Sequence, residues 1–121
     1  MTHSPGSHGL LDLYHCDAAL LGDAAYLEAQ LRHAAAQAGA TILAAHFHHF
    51  GENAGVTGVL LLAESHISLH TWPEHRFAAF DIFLCGELKL EAARESLCRA
   101  FPGSRAQWRV EKRGTDLPGQ T

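Results

Sequence analysis

Glu64-Ser-His-Ile-Ser-Leu-His-Thr-Trp-Pro-Glu74 alternates polar and apolar side chains along its middle. Ile67 and Leu69 fall to one side of an extended chain, and His66, Ser68 and His70 to the other. That is the period-two pattern of a strand with one covered face and one face displaying polar groups. Pro73 has no N–H to give to a sheet and ends the run. Such a strand needs partners, and both neighbouring stretches supply them. Upstream, Thr41 to Phe50 reads as a strand, with Ile42, Ala44, His46 and His48 on one face and Thr41, Leu43, Ala45, Phe47 and His49 on the other. Gly51-Glu-Asn-Ala-Gly55 is a turn, so Val56 to Ala63 returns antiparallel. Downstream, Phe77, Ala79, Asp81, Phe83 and Cys85 share one side of a further strand that Gly86 ends.

Helices flank this core of strands. Leu20, Ala24, Leu27, Leu31, Ala34 and Ala38 recur at helical spacing, with Asp23 as N-cap and Gly39 as the residue that ends the helix. Glu28 and Arg32 form an i,i+4 pair on its outer face. Leu90, Ala93, Leu97 and Phe101 mark a second amphipathic helix, stopped by Pro102-Gly103. Leu10 to Tyr14 reads as a first strand after a loose segment over residues 1–9, and Ala106, Trp108 and Val110 mark a last one. Strand, helix, several strands, helix, strand predicts an α+β two-layer sandwich: an antiparallel sheet with two helices on one face, residues 1–121 forming a single domain.

Composition narrows the function classes. The chain has 121 residues, a formal charge of −4 and no basic block, which argues against nucleic acid as a partner. Val59 to Ala63 is its longest apolar run, too short to cross a bilayer, and nothing resembles a signal peptide, so no membrane role is expected and a cytoplasmic location is. Cys16, Cys85 and Cys98 are an odd count without a CxxC pair, which suits reduced thiols. Ten histidines contrast with two lysines, Lys89 and Lys112, and neither has the setting of a pyridoxal-phosphate lysine. His46 and His48 share a strand face, yet no Asp, Glu or Cys follows at ligand spacing, so no metal site is assigned. Ser65 lacks the G-x-S-x-G elbow of a hydrolase. On residue types alone it reads as a hydrogen-bonded surface or turn serine sooner than as a nucleophile.

The ordered match of a longer string decides more. Glu64-Ser65-His66, Ile67 to Leu69, then His70-Thr-Trp-Pro-Glu74 are followed by Ala78-Ala-Phe-Asp-Ile-Phe-Leu-Cys85-Gly86. They are preceded by His49-Phe50, a glycine turn and Gly55-Val-Thr-Gly58, with Gly6-Ser-His8 and Tyr14-x-Cys16 near the start. Together they resemble the small prokaryotic S-adenosylmethionine decarboxylase proenzymes.

That resemblance implies a chain that makes its own cofactor. The Ser65 hydroxyl attacks the Glu64 carbonyl, moving the acyl group from nitrogen to oxygen. A base, matched by His70, then removes the α-hydrogen of residue 65, and β-elimination frees the Glu64 carboxylate. Hydrolysis releases ammonia and leaves a pyruvoyl group derived from Ser65. The products are a β chain, 1–64, and an α chain, 65–121, of 57 residues (121 − 64). The pyruvoyl carbonyl then serves as electron sink for decarboxylation, as pyridoxal phosphate does elsewhere. Cys85 matches the family's proton donor, and a thiol ordinarily keeps its proton near neutrality. An adenine needs aromatic faces, which Phe50 and Trp72 can supply, and Glu74 matches the family's acceptor for the ribose diol. A homodimer of αβ units supplying aminopropyl groups for spermidine is the implied setting.

Two departures from the family pattern stand out. Thr57 replaces a serine thought to hold the acyl-shift intermediate, keeping the hydroxyl while restricting χ1. The loop Phe50 to Gly55 is one residue longer than usual and lacks proline, which leaves arginine or ornithine as alternative substrates, with Glu52 as the candidate carboxylate. A non-catalytic His-rich binding module is the alternative from a different class.

Overall fold

A computed structural model describes residues 5–118. Six strands form one antiparallel sheet: β1 (Gly6–Tyr14), β2 (Ile42–His49), β3 (Val56–Leu62), β4 (Ser65–Trp72), β5 (Phe77–Cys85) and β6 (Arg105–Arg113). They lie in the order β2-β3-β4-β5-β1-β6, so β1 is threaded between the last two strands of the chain. Helices α1 (Ala18–Leu21), α2 (Ala24–Ala38) and α3 (Leu90–Arg99) accompany the sheet, with a short 3₁₀ turn at Pro73–His75. None of the described helices is long and apolar enough to cross a membrane.

The alternation read from sequence is what builds the two layers. Ile67 and Leu69 are fully buried, together with Leu11, Leu13, Leu60, Phe80 and Ile82 of the neighbouring strands. Helix α2 sets Leu27, Leu31, Ala34, Ala35 and Ala38 into the same core, and α3 adds Ala93 and Leu97. Each fully buried leucine contributes roughly 1.5–3 kcal/mol, so the covered face fixes the register of every strand. Asp23 caps α2 by accepting from the Tyr26 N–H at 3.0 Å, and Gly39 closes it at φ 84°. Trp72 ends β4, with Pro73 opening the 3₁₀ turn.

Two expectations needed correction. Residues 6–9 are not loose: β1 begins at Gly6, because its N-terminal half pairs with Cys85 to Ile82 on one side and Arg113 to Val110 on the other. Residues 1–4 of that segment lie outside the described residues. In β2 the register shifts between Ile42 and Ala44. The extra residue, Leu43, is exposed, and Ile42 turns to the helix side with Ala45 and Phe47 instead of sharing a face with His46 and His48.

Candidate active site

The β3–β4 hairpin has a two-residue loop, Ala63-Glu64, since Leu62 pairs with Ser65. Glu64 takes φ 60°. For a residue with a Cβ the left-handed region costs about 1–2 kcal/mol, and here the strain sits on the residue whose carbonyl joins Ser65. Ser65 is buried, 9% exposed, and its Oγ accepts the backbone N–H of Cys85 at 3.0 Å. That hydrogen bond fixes the hydroxyl beside the Glu64–Ser65 peptide. Cys85 ends β5 on the helix-free face, in line with Phe83. Beside them opens a cavity of about 710 Å³ lined by Gly6, Glu64, Phe83, Cys85 and Arg113, among others. Two imidazoles flank Phe83 there: His66 stacks on it at 5.6 Å with an interplanar angle of 6°, and His8 tilts against it at 5.8 Å.

A second set gathers at the far end of β4. Thr57 and His70 are register partners, and Thr57 Oγ1 lies 3.0 Å from His70 Nδ1. Phe50, Thr57, His70, Trp72 and Glu74 line one cavity of about 350 Å³. Phe50 is 62% exposed and Trp72 38%. Glu52 is exposed in the turn and does not line that cavity. Buried Thr71 holds this end in place: its Oγ1 donates to the Leu21 carbonyl at 2.7 Å and accepts from the Val56 N–H at 2.9 Å. Gly55 lies so close that a Cβ there would sit 1.9 Å from the Thr71 carbonyl oxygen.

The residues singled out from sequence therefore form two groups. Glu64, Ser65 and Cys85 meet at one end of β4; Thr57, His70, Phe50, Trp72 and Glu74 meet at the other. Ser65 and His70 are five residues apart, roughly 17 Å along a strand, and an odd spacing turns their side chains to opposite faces. Within one chain the two groups do not touch. Between them on the helix-free face, His8 Nε2 lies 3.0 Å from Asp81 Oδ1. Thr71, Phe83 and Arg113 were not picked out by sequence reasoning. Thr71 carried a signal, a threonine on the apolar side of an otherwise aliphatic strand; Arg113 carried none, because only the β1–β6 pairing brings it near Cys85.

Cys16, by contrast, has the setting of a structural thiol. It is fully buried, donates to the Leu13 carbonyl, and burial pushes its pKa up to about 11 against the opposing pull of Arg76.

Residues 7–114 match the family described as S-adenosylmethionine decarboxylase. The chain is 47% identical over 100 residues to the S-adenosylmethionine decarboxylase proenzyme of Prochlorococcus marinus (strain MIT 9313), covering 83% of this chain and 79% of that protein. It is 39% identical over 118 residues to the proenzyme of the same name from Acidithiobacillus ferrooxidans (strain ATCC 53993 / BNL-5-31), covering 96% and 88%. The crystal structure of the adenosylmethionine decarboxylase from Aquifex aeolicus VF5 superposes with a TM-score of 0.83 at 34% identity, covering 93% of each chain. The chain belongs to the S-adenosylmethionine decarboxylase family. Arginine or ornithine decarboxylation, and a non-catalytic binding role, find no support in these relatives.

Proposed function

We propose that this chain cuts itself between Glu64 and Ser65 and, as β chain 1–64 and α chain 65–121, decarboxylates S-adenosylmethionine for aminopropyl transfer in spermidine synthesis. The observation that carries the cleavage is the left-handed Glu64 immediately before a buried Ser65 whose Oγ is pinned by the Cys85 N–H. Attack of Oγ on the Glu64 carbonyl moves the acyl group to oxygen and breaks the strained peptide, so the turn relaxes as the bond is lost. Removal of the α-hydrogen of residue 65 expels the Glu64 carboxylate, and water then replaces the nitrogen, releasing ammonia. The residues fit the pyruvoyl group this would leave: residue 65 is buried at a strand start, beside a cavity and Cys85. When present, that carbonyl takes up the substrate amine and accepts the electron pair freed with carbon dioxide. Cys85 is the nearby thiol that can return a proton to the substrate α-carbon.

The base for the elimination cannot be the same chain's His70. A second copy supplies it if two helix-free faces pack together. A two-fold axis between the sheets, crossing the strands at the level of Ser68 and Asp81, lays the Ser65 end of one β4 over the His70 end of the other. The partner's Thr57 hydroxyl and His70 imidazole then serve processing, with its Phe50, Trp72 and Glu74 left to hold adenine and ribose. Threonine at 57 keeps the hydroxyl, and its hydrogen bond to His70 shows that the restricted χ1 still reaches the imidazole.

Intact mass after purification tests the cleavage. Wild type should give two chains, the α chain lacking a free amino terminus, and Ser65→Ala one. Cys85→Ala should still be cut yet lose turnover by about 10²–10⁴-fold, the usual worth of a general acid. A wild-type chain that stays whole for days refutes the reading.

A further inference from the structure

We infer that Arg113 receives the α-carboxylate of the substrate, an assignment that rests on residue 65 and Cys85 acting as proposed above. Strand register carries it. Cys85 pairs with Gly6, and Gly6 pairs with Arg113, so the three lie in one row across β5, β1 and β6. Their alternation puts Cys85 and Arg113 on the same helix-free face. The middle of the row has no side chain, and a Cβ on Gly6 would come within 2.7 Å of the Phe83 ring. Phe83 therefore lies across the gap, and the Arg113 guanidinium carbon sits 5.8 Å from the centre of that ring. An aromatic face under a guanidinium holds the plane flat and leaves its N–H edges free for a forked pair with a carboxylate.

The order of strands fixes the direction. Residue 65 stands on β4, on the far side of Cys85 from Arg113. An amino acid held through its nitrogen at residue 65 brings its α-carbon to Cys85, and the carboxylate on that carbon extends along the row toward β6. Two strand spacings, about 10 Å, separate the backbones of Cys85 and Arg113, a gap that a thiol and an arginine side chain close from both ends. Among the described residues Arg113 is the one Arg, Lys or His lining this cavity, whose carboxylates are Glu64 and Glu87. No ion pair joins Arg113 to a carboxylate among the described residues. The new Glu64 carboxylate left by self-cleavage is the other anion at hand, but it arises at the opposite end of the row, beyond Cys85.

Arg113 acts on the ground state. As the C–C bond breaks, its electron pair passes toward residue 65, the carboxylate leaves as neutral carbon dioxide, and the Cys85 proton takes its place. An ion pair with a charge that vanishes during the step strengthens substrate binding without lowering the barrier from the bound state. The prediction is therefore a rise in KM with kcat undiminished or raised.

The experiment compares wild type, Arg113→Gln and Arg113→Lys. Borohydride-reduced enzyme, which does not turn over, is titrated in a calorimeter with S-adenosylmethionine and with its decarboxylated form, and KM and kcat are measured on the unreduced enzyme. Arg113→Gln should weaken S-adenosylmethionine binding about tenfold or more. Binding of the decarboxylated form should stay within about twofold, and Arg113→Lys should recover part of the loss. Equal weakening of both ligands, unchanged affinity for S-adenosylmethionine, or failure of Arg113→Gln alone to self-cleave overturns the assignment. Intact mass keeps the two readings apart, because a wild-type chain that is never cut is seen before any titration.

Discussion

Co-expression of two crippled chains asks whether the site is shared. Ser65→Ala removes the nucleophile and leaves His70 and Thr57 intact; His70→Ala does the reverse. Along one β4 the two positions are roughly 17 Å apart, whereas proton abstraction needs contact at about 3 Å. No rotamer change closes that difference, so each variant alone should stay uncut. In a statistical mixture about half the dimers carry one chain of each kind, and each of these has one intact site and one doubly defective site. The His70→Ala chain should then be cleaved to about half, the Ser65→Ala chain not at all, and decarboxylase activity should reach about a quarter of wild type. Distinct affinity tags on the two chains let intact mass and carbon dioxide release be read on the isolated heterodimer. If that heterodimer forms and its Ser65-bearing chain remains whole, or if His70→Ala alone is cut at the wild-type rate, the partition of the site between two copies is wrong.

Two further outcomes follow from the strained turn and the buried thiol. Glu64→Gly removes the left-handed penalty at φ 60°, so in a Ser65→Ala background it should stabilise the chain by about 1 kcal/mol, read as a rise in Tm, and with Ser65 restored it should slow self-cleavage; equal or faster cleavage would remove strain from the mechanism. Cys16 has its folded pKa raised from 9.0 to about 11, so above pH 9 the unfolded thiol ionises while the folded one keeps its proton. Stability from this group is complete below pH 9 and is lost as pH rises toward 11, by up to roughly 3 kcal/mol. Melting temperature measured across that range should fall less steeply in Cys16→Ala than in wild type, and parallel slopes would refute the argument.

The sheet was legible in the chain because its signals are local. Alternation in β4 and β5, the Asp23 cap, the Gly39 stop and the Pro73 break each act within a few residues. The bulge at Leu43 was not legible, since nothing within Thr41 to Phe50 marks where one residue is extra. The site was half legible. Motif order named Ser65, His70 and Cys85, and an odd spacing already placed Ser65 and His70 on opposite faces, but no local pattern tells that the named residues gather into two separate groups. Arg113 depends on β1 lying between β5 and β6, a long-range pairing that no local pattern announces.

That placement of β1 has a consequence for the life history of the molecule. Residues 1–64 hold β1, β2 and β3, and residues 65–121 hold β4, β5 and β6. A cut after Glu64 leaves pieces that are interlocked, because β1 of the first piece is hydrogen-bonded on both sides to strands of the second. The nick therefore costs the native sheet no strand pairing, and neither piece can depart without tearing three ladders. Unfolding is where the nick would tell. A whole chain refolds by a first-order search, while two pieces must first meet, so refolding of the mature form would slow on dilution. Such a protein carries a record of its age: new copies could recover from a denaturing episode alone, and old ones only in company.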